Sequence, residues 1–432
     1  MVTGGTFQGN TSNTVGGAVH SGGSLTVTGG TFTGNTAKGN GGGALSNDNE
    51  GTLTVTGGTF NGNKATSNAD WTGGGAIHAT GSTTIITGGL FTGNGQDPGA
   101  CSVDVGSNTQ DNCYGGPYGG QAGGGAIYSI DVRDNENHVI QSASLTIQGD
   151  VKFRGNYAKA RDFGSGGGAV WARGKMWIRN SADASATKPA FEGNWAAIDK
   201  PAGPYDTNIQ TMLTGPATQI TAGGAGGAVF LMNGSTAFIT GGEYKNNASG
   251  YLGGAIYTEE NTTTYVGRAV AWSNTAGHFG GGLWFCPSGN SAASKGGNIA
   301  LFDNKVNDQL DANTDNRSTV DTQDKTAGSD LAIMNPYHKS RYRIRSNTFQ
   351  LMDTWFTSRD SSTVEWYWDG VPALKASGYQ DKWLGGDTGQ SVSTYNGQDG
   401  HANRYDENST NNEKIGITAA DNHSVTTCLY YT

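Results

Sequence analysis

The sequence predicts an all-β chain wound as a parallel β-helix, a solenoid of about nine coils followed by a β-rich C-terminal segment. Three observations predict it. An aromatic-x-x-Asn element recurs along the chain, ending at Asn10, Asn35, Asn63, Asn94, Asn156, Asn194 and Asn247. A Gly-Gly-Ala-aliphatic element alternates with it and places Val19, Leu45, Ile77, Ile127, Val170, Val229 and Ile256. Between the two, apolar and polar residues alternate as in "SLTVTGG", where Leu25 and Val27 share one face and Thr26 and Thr28 the other, the period of a strand.

Each element has a physical reason. A tight unit of about 26 residues holds three short strands separated by glycine-rich corners, and the 72 glycines supply the positive φ angles and close backbone approach that such corners need. Coils stacked at the ~4.8 Å spacing of neighbouring strands put equivalent residues above one another, so Phe7, Phe32, Phe60 and Phe91 are expected to form an inward stack. The asparagines are expected to form a ladder at one corner, each side-chain amide bonding to the next and to backbone groups that the turn leaves unpaired. Replacing Asn63 by Ala would then cost ~1 to 3 kcal/mol. The array continues in degenerate form through "GGGLW" at 280–284, "GGNIA" at 296–300, Asn274 and Asn304, and fills residues 1–333. The chain opens partway through a repeat, so Met1 reads as an added start and the native protein is expected to continue upstream.

Three insertions interrupt the coils, near 95–122, 195–222 and 305–330, and are expected to project from the corners. In the third, Asp311, Asn313 and Asp315 have the spacing of a calcium loop but lack its glycine and closing Glu, which favours a solvated acidic loop. Residues 334–432 change texture and become rich in Trp, Tyr and Arg. They read either as a cap on the open end of the solenoid or as a binding module in which Trp366, Trp368 or Trp383 stacks on sugar rings. Cys101 and Cys113 share one loop, which a bridge would stabilise by ~3 kcal/mol, and Cys286 and Cys428 are positioned to tie the C-terminal segment to the late coils. Free thiols are the alternative; no CxxC accompanies these residues, and bridges would imply an oxidising compartment.

Composition narrows the function. A net charge of −9, spread rather than blocked, argues against a nucleic-acid binder, and no run of eighteen apolar residues spans a membrane. No GxSxG, HExxH or P-loop occurs, and no cofactor is expected.

The alternation of "GGAI" with FxxN resembles the passenger regions of chlamydial polymorphic outer-membrane proteins and the β-helical adhesin segments of large bacterial surface proteins. The resemblance covers about three quarters of the chain and implies a right-handed parallel β-helix on a bacterial cell surface, working in adhesion. After residue 334 the chain departs from the chlamydial pattern, with no amphipathic strand series for a membrane barrel, and it carries no LPxTG-type signal.

Two functions follow as expectations. The first is a monomeric, non-catalytic adhesin segment at the extracellular surface, presenting a lateral face and loops to a glycan or protein of a host or neighbouring cell. The second is a secreted polysaccharide lyase or glycoside hydrolase, for which the best polar cluster (Tyr128, Asp131, Arg133, Trp171, Arg173, Lys175) offers one carboxylate where a hydrolase needs a pair. The expected recognition surface is the column of residues that follow each Gly-Gly-Ala-aliphatic element: His20, Ser46, His78, Tyr128, Trp171, Phe230, Tyr257 and Phe285. Its ligand-binding segment is expected at Tyr128, Trp171, Phe230 and Tyr257, with Arg173 and Lys175 as donors and Trp171 as the anchor.

Overall fold

The computed structural model describes residues 1–67, 69–98, 121–160, 164–181, 187–197, 224–259, 262–266, 269–277, 280–285 and 304–305, and backbone pairing alone for further short strands. Among the described residues there is no helix. The described strands are all-β and stack, parallel from coil to coil, into a solenoid of three sheets, whose 18, nine and 11 strands include a few antiparallel ones at the C-terminal end.

One coil shows the plan. Val19–Ser21 lies in the 11-stranded sheet, Leu25–Val27 and Thr31–Thr33 both lie in the 18-stranded sheet, and Thr36–Ala37 lies in the nine-stranded sheet. The coil therefore has four strands rather than the expected three. The additional strand follows the Asn corner and is two residues long here, too short for alternation to reveal it. In two coils the pair of strands in the wide sheet fuses, as Thr83–Thr92 and Ser144–Arg154.

Register is set by the inward residues. Phe7, Phe32, Phe60, Phe91, Phe153, Phe191 and Tyr244 pair coil to coil. Their ring centroids lie 4.6–5.0 Å apart, close to the strand spacing, so each coil that docks also stacks a ring. Beside them Val27, Val55, Ile86, Ile147, Ile178 and Ile239 form a second buried column, and with Leu45, Ile77, Ile127, Val170, Val229 and Ile256 they close one continuous core.

The asparagines run up one corner. From Asn10 to Asn274, each Nδ2 donates to the Oδ1 of the next Asn at 2.8–2.9 Å. The backbone N–H of the same residue donates to that same oxygen at 2.9–3.0 Å. From Asn35 onward the second Nδ2 hydrogen reaches the carbonyl of the inward residue one coil back, such as Phe7 for Asn35 and Phe32 for Asn63. A buried amide in the middle of the ladder thus has both donors and its acceptor engaged.

The opposite corner needs glycine for a steric reason. Gly124 has φ +65°, and a Cβ there would run into the carbonyl of Ile127. At Gly125 a Cβ would overlap the backbone of Gly168 in the next coil and that of Tyr157. The strand pairing corrects one expectation. "GGNIA" is not a Gly-Gly-Ala element, because Ile299–Phe302 pairs with Ala269–Trp272 in the wide sheet and leads into Asn304. The next strand of the 11-stranded sheet is Leu331–Ile333, paired on Leu283–Phe285.

Glu365–Trp368 then joins Leu331–Ile333 in parallel and pairs antiparallel with Val371–Lys375, while Gly416–Asp421 and Ser424–Cys428 form an antiparallel pair. Most of the three insertions, with Cys101, Cys113, Asp311, Asn313 and Asp315, lies outside the described residues, as do Cys286, Trp383 and the side chains of Trp366, Trp368 and Cys428.

Candidate binding face

The column expected to bind ligand exists, but it is a second core. His78, Tyr128, Trp171, Phe230, Tyr257 and Trp284 pair in register along the 11-stranded sheet. The register also replaces Phe285 by Trp284 in this column, because Phe285 faces inward with the main core. The rings lie on one another at 4.2–6.1 Å, and Trp171 has no exposed surface. Ala225, Tyr251, Leu252 and the edge of Trp71 pack over them. The alternation correctly puts these side chains opposite the aliphatic residues, but opposite does not mean open to solvent. Apolar residues that precede some of the glycine pairs, such as Trp71 and Tyr251–Leu252, cover the column.

The two cations attached to that column separate. Arg173 ends its strand with its guanidinium 4.7 Å above the Trp71 ring, and it pairs with Asp131 at 3.4 Å. Asp131 is buried and also holds Arg133 at 2.8 Å. Burial and the nearby Arg133 pull the Arg173 pKa below its ordinary value, against Asp131. Lys175 lies beyond the Gly174 corner on the outer face of the wide sheet, level with Ser144 and Thr236. The six residues named for ligand binding therefore do not form one site, and their aromatic faces are closed.

The open aromatic surface is on the wide sheet. Its outward column reads Thr26, Thr54, Ile85, Thr146, then Trp177, Phe238 and Tyr265. Trp177 and Phe238 stack at 6.0 Å and Phe238 and Tyr265 at 5.0 Å, so ring faces cover each other and ring edges meet solvent. Tyr265 remains 37% exposed, which makes it one of the four large apolar side chains on the described surface. Single exposed rings are ordinary, whereas a registered run of three on a flat face is the kind of patch that marks contact surfaces.

Two further outward columns flank the inward ring stack on this face. One reads Thr6, Thr31, Thr59, Leu90, Lys152, Ala190, Glu243, Val270, and the other Gln8, Thr33, Asn61, Thr92, Arg154, Glu192, Lys245, Trp272. The first coils carry an uncharged, threonine-rich surface; the later ones open a groove of about 490 Å³ lined by Lys152, Arg154, Lys188, Glu192, Glu243, Lys245 and Trp272. Its carboxylates face cations: Glu192 meets Arg154 at 3.4 Å and Glu243 meets Lys188 at 3.2 Å. The Lys245 ammonium lies 5.8 Å from the Trp272 ring centroid.

This arrangement can bind, with four cations, two carboxylates and an indole around one groove. Among the described residues no group of three His, Cys, Asp or Glu side chains could hold a metal ion. Comparison with family models, with curated proteins and with solved structures finds no match for the chain.

Proposed function

We propose that the chain is a non-catalytic segment of a large bacterial surface adhesin, a right-handed parallel β-helix that acts as a rigid extracellular rod. It holds the outer face of its wide sheet toward a glycan or protein of a host or neighbouring cell. The observation that carries this reading is the registered, solvent-facing stripe Trp177, Phe238 and Tyr265 beside the charged groove. A solenoid of hydrogen-bonded coils suits such a task, because its length is fixed and each coil adds one row of contacts. Preorganised aromatic side chains lose little rotamer entropy on binding and dominate contact energies.

Binding of the purified protein to cell-surface glycan and glycoprotein arrays tests the reading. Trp177→Ala and Tyr265→Ala are each expected to weaken the strongest interaction about tenfold, or about 1.4 kcal/mol, and to leave the folded state intact by circular dichroism. Trp171→Ala is expected to do the reverse, lowering the melting temperature while the folded fraction binds normally. If arrays bind equally to wild type and the stripe variants, the face is not the contact surface. Turnover of a bound glycan would make the protein an enzyme and overturn the reading.

A further inference from the structure

We infer that the groove beside the stripe takes an acidic oligosaccharide, a sugar chain whose rings carry carboxylates. The inference rests on the adhesin reading and names the ligand chemistry of the same face.

Charge is the first argument. Across the three coils that begin with Ser144–Arg154, the described residues of the outer face and its groove carry Lys152, Arg154, Lys175, Arg179, Lys188 and Lys245 against Asp150, Glu192 and Glu243, six cations to three carboxylates. The local excess is three positive charges, on a chain whose net charge is −9. Lys152 and Arg154 stand where the matching columns of the earlier coils hold threonines, Leu90, Asn61 and Gln8, so the cationic surface begins with this stretch of the rod. Such a patch concentrates anions at low ionic strength.

The second argument is the state of the individual cations. Lys152 meets Asp150 at 3.2 Å, Arg154 meets Glu192 and Lys188 meets Glu243. Lys245 faces the Trp272 ring, and among the described residues no carboxylate lies within ion-pair distance of it. A ligand carboxylate supplies the missing partner.

The third argument chooses among anions. Glu192 and Glu243 line the same groove and call for donors, which the hydroxyls of an acidic sugar supply and a DNA phosphodiester backbone does not. Sugar hydroxyls both donate and accept, and can bond to carboxylates and cations alike. An acidic peptide cannot dock here by adding a strand, because the strands around the groove are bonded to neighbours on both sides. What remains is recognition by side chains, over a volume within the range of small-molecule sites.

The full chain should be tested by calorimetry or interferometry against an oligogalacturonide, a hyaluronan octasaccharide and sialyllactose, each paired with its carboxyl-reduced form, with single-stranded DNA and poly-glutamate alongside. The expected result is binding of at least one acidic sugar, about tenfold weaker once its carboxyl is reduced, and weaker again when salt rises from about 50 to about 300 mM. The uronate and sialate arms separate the two sources of carboxylate. Lys245→Gln is expected to weaken the interaction about tenfold and to leave the melting temperature unchanged, as a surface substitution should. Equal affinity for reduced and acidic sugars, stronger binding of DNA or poly-glutamate, no binding of any acidic sugar, or indifference to Lys245→Gln each overturns the inference. A neutral glycan or a protein bound through Trp177 but indifferent to Lys245→Gln removes this inference and leaves the adhesin reading intact.

Discussion

Replacing Asn63 by Ala is expected to destabilise the protein by about 3 kcal/mol or more, the upper end of what the sequence alone implied. The Oδ1 of Asn63 accepts from the backbone N–H and the Nδ2 of Asn35, and its Nδ2 donates to the Phe32 carbonyl and to Asn94 Oδ1. All three asparagines have no exposed surface, so water cannot replace what the alanine removes. The substitution orphans a backbone N–H, a backbone C=O and one hydrogen of a neighbouring amide together. Urea unfolding of Asn63→Ala beside wild type measures the loss. Asn63→Asp separates hydrogen bonding from volume: its carboxylate still accepts from Asn35, but its other oxygen then faces the Phe32 carbonyl and Asn94 Oδ1, two acceptors. That variant should also be destabilised at neutral pH, despite filling the same space. If Asp is tolerated as well as Asn, the ladder is a packing column and its hydrogen bonds contribute little.

The ladder and the ring stack were legible in the sequence because a repeat announces whatever every coil needs. Phe32 and Asn35 recur at a fixed offset since each coil must fill the same interior and satisfy the same corner. The short strand after the corner was not legible, because Thr36–Ala37 is too brief for a period to register. The choice of aromatic column failed for a different reason. Strand alternation assigns a side chain to one of two faces, and it cannot report that residues distant in sequence, such as Trp71 and Leu252, lie over one of them.

The candidate face was missed because it departs from the repeat. In the column Thr26, Thr54, Ile85, Thr146, Trp177, Phe238, Tyr265 the later members break the threonine pattern, and a search that rewards recurrence passes over them. The residues flanking each inward ring tell the same story: "TFQ", "TFT", "TFN" and "LFT" give way to "KFR", "AFE" and "EYK". Where the outward neighbours of a conserved interior position change from threonine to charge, the scaffold is unchanged and the surface has been rewritten. In a solenoid the interior is read from what repeats and the site from what does not.

The second large effect is expected on acidification. His78 is 4% exposed, stacks on Tyr128 at 5.2 Å and bonds through Nδ1 to the Gly73 carbonyl and through Nε2 to the Thr80 hydroxyl. Both contacts suit a neutral ring that donates from Nδ1 and accepts at Nε2, and among the described residues no carboxylate pairs with it. Burial lowers its pKa from 6.5 to about 4, with the Gly73 bond opposing weakly. The folded pKa lies below the unfolded one, so the unfolded chain binds the proton first. The stability held by neutral His78 is therefore complete above pH 6.5 and is lost as the pH falls through about 4. Over that interval the loss approaches about 3 kcal/mol, at about 1.4 kcal/mol per pH unit. His78→Phe keeps an aromatic ring on Tyr128 and removes the proton. The difference between the two pH profiles isolates this residue, since every other titrating group appears in both. Denaturant melts at half-unit intervals from about pH 7 to about pH 4 should show the wild type converging on or falling below the variant as the solution is acidified. Parallel profiles would mean that the imidazole is reached by water and titrates alike in both states, and the column around it would then be less tightly closed than its burial indicates.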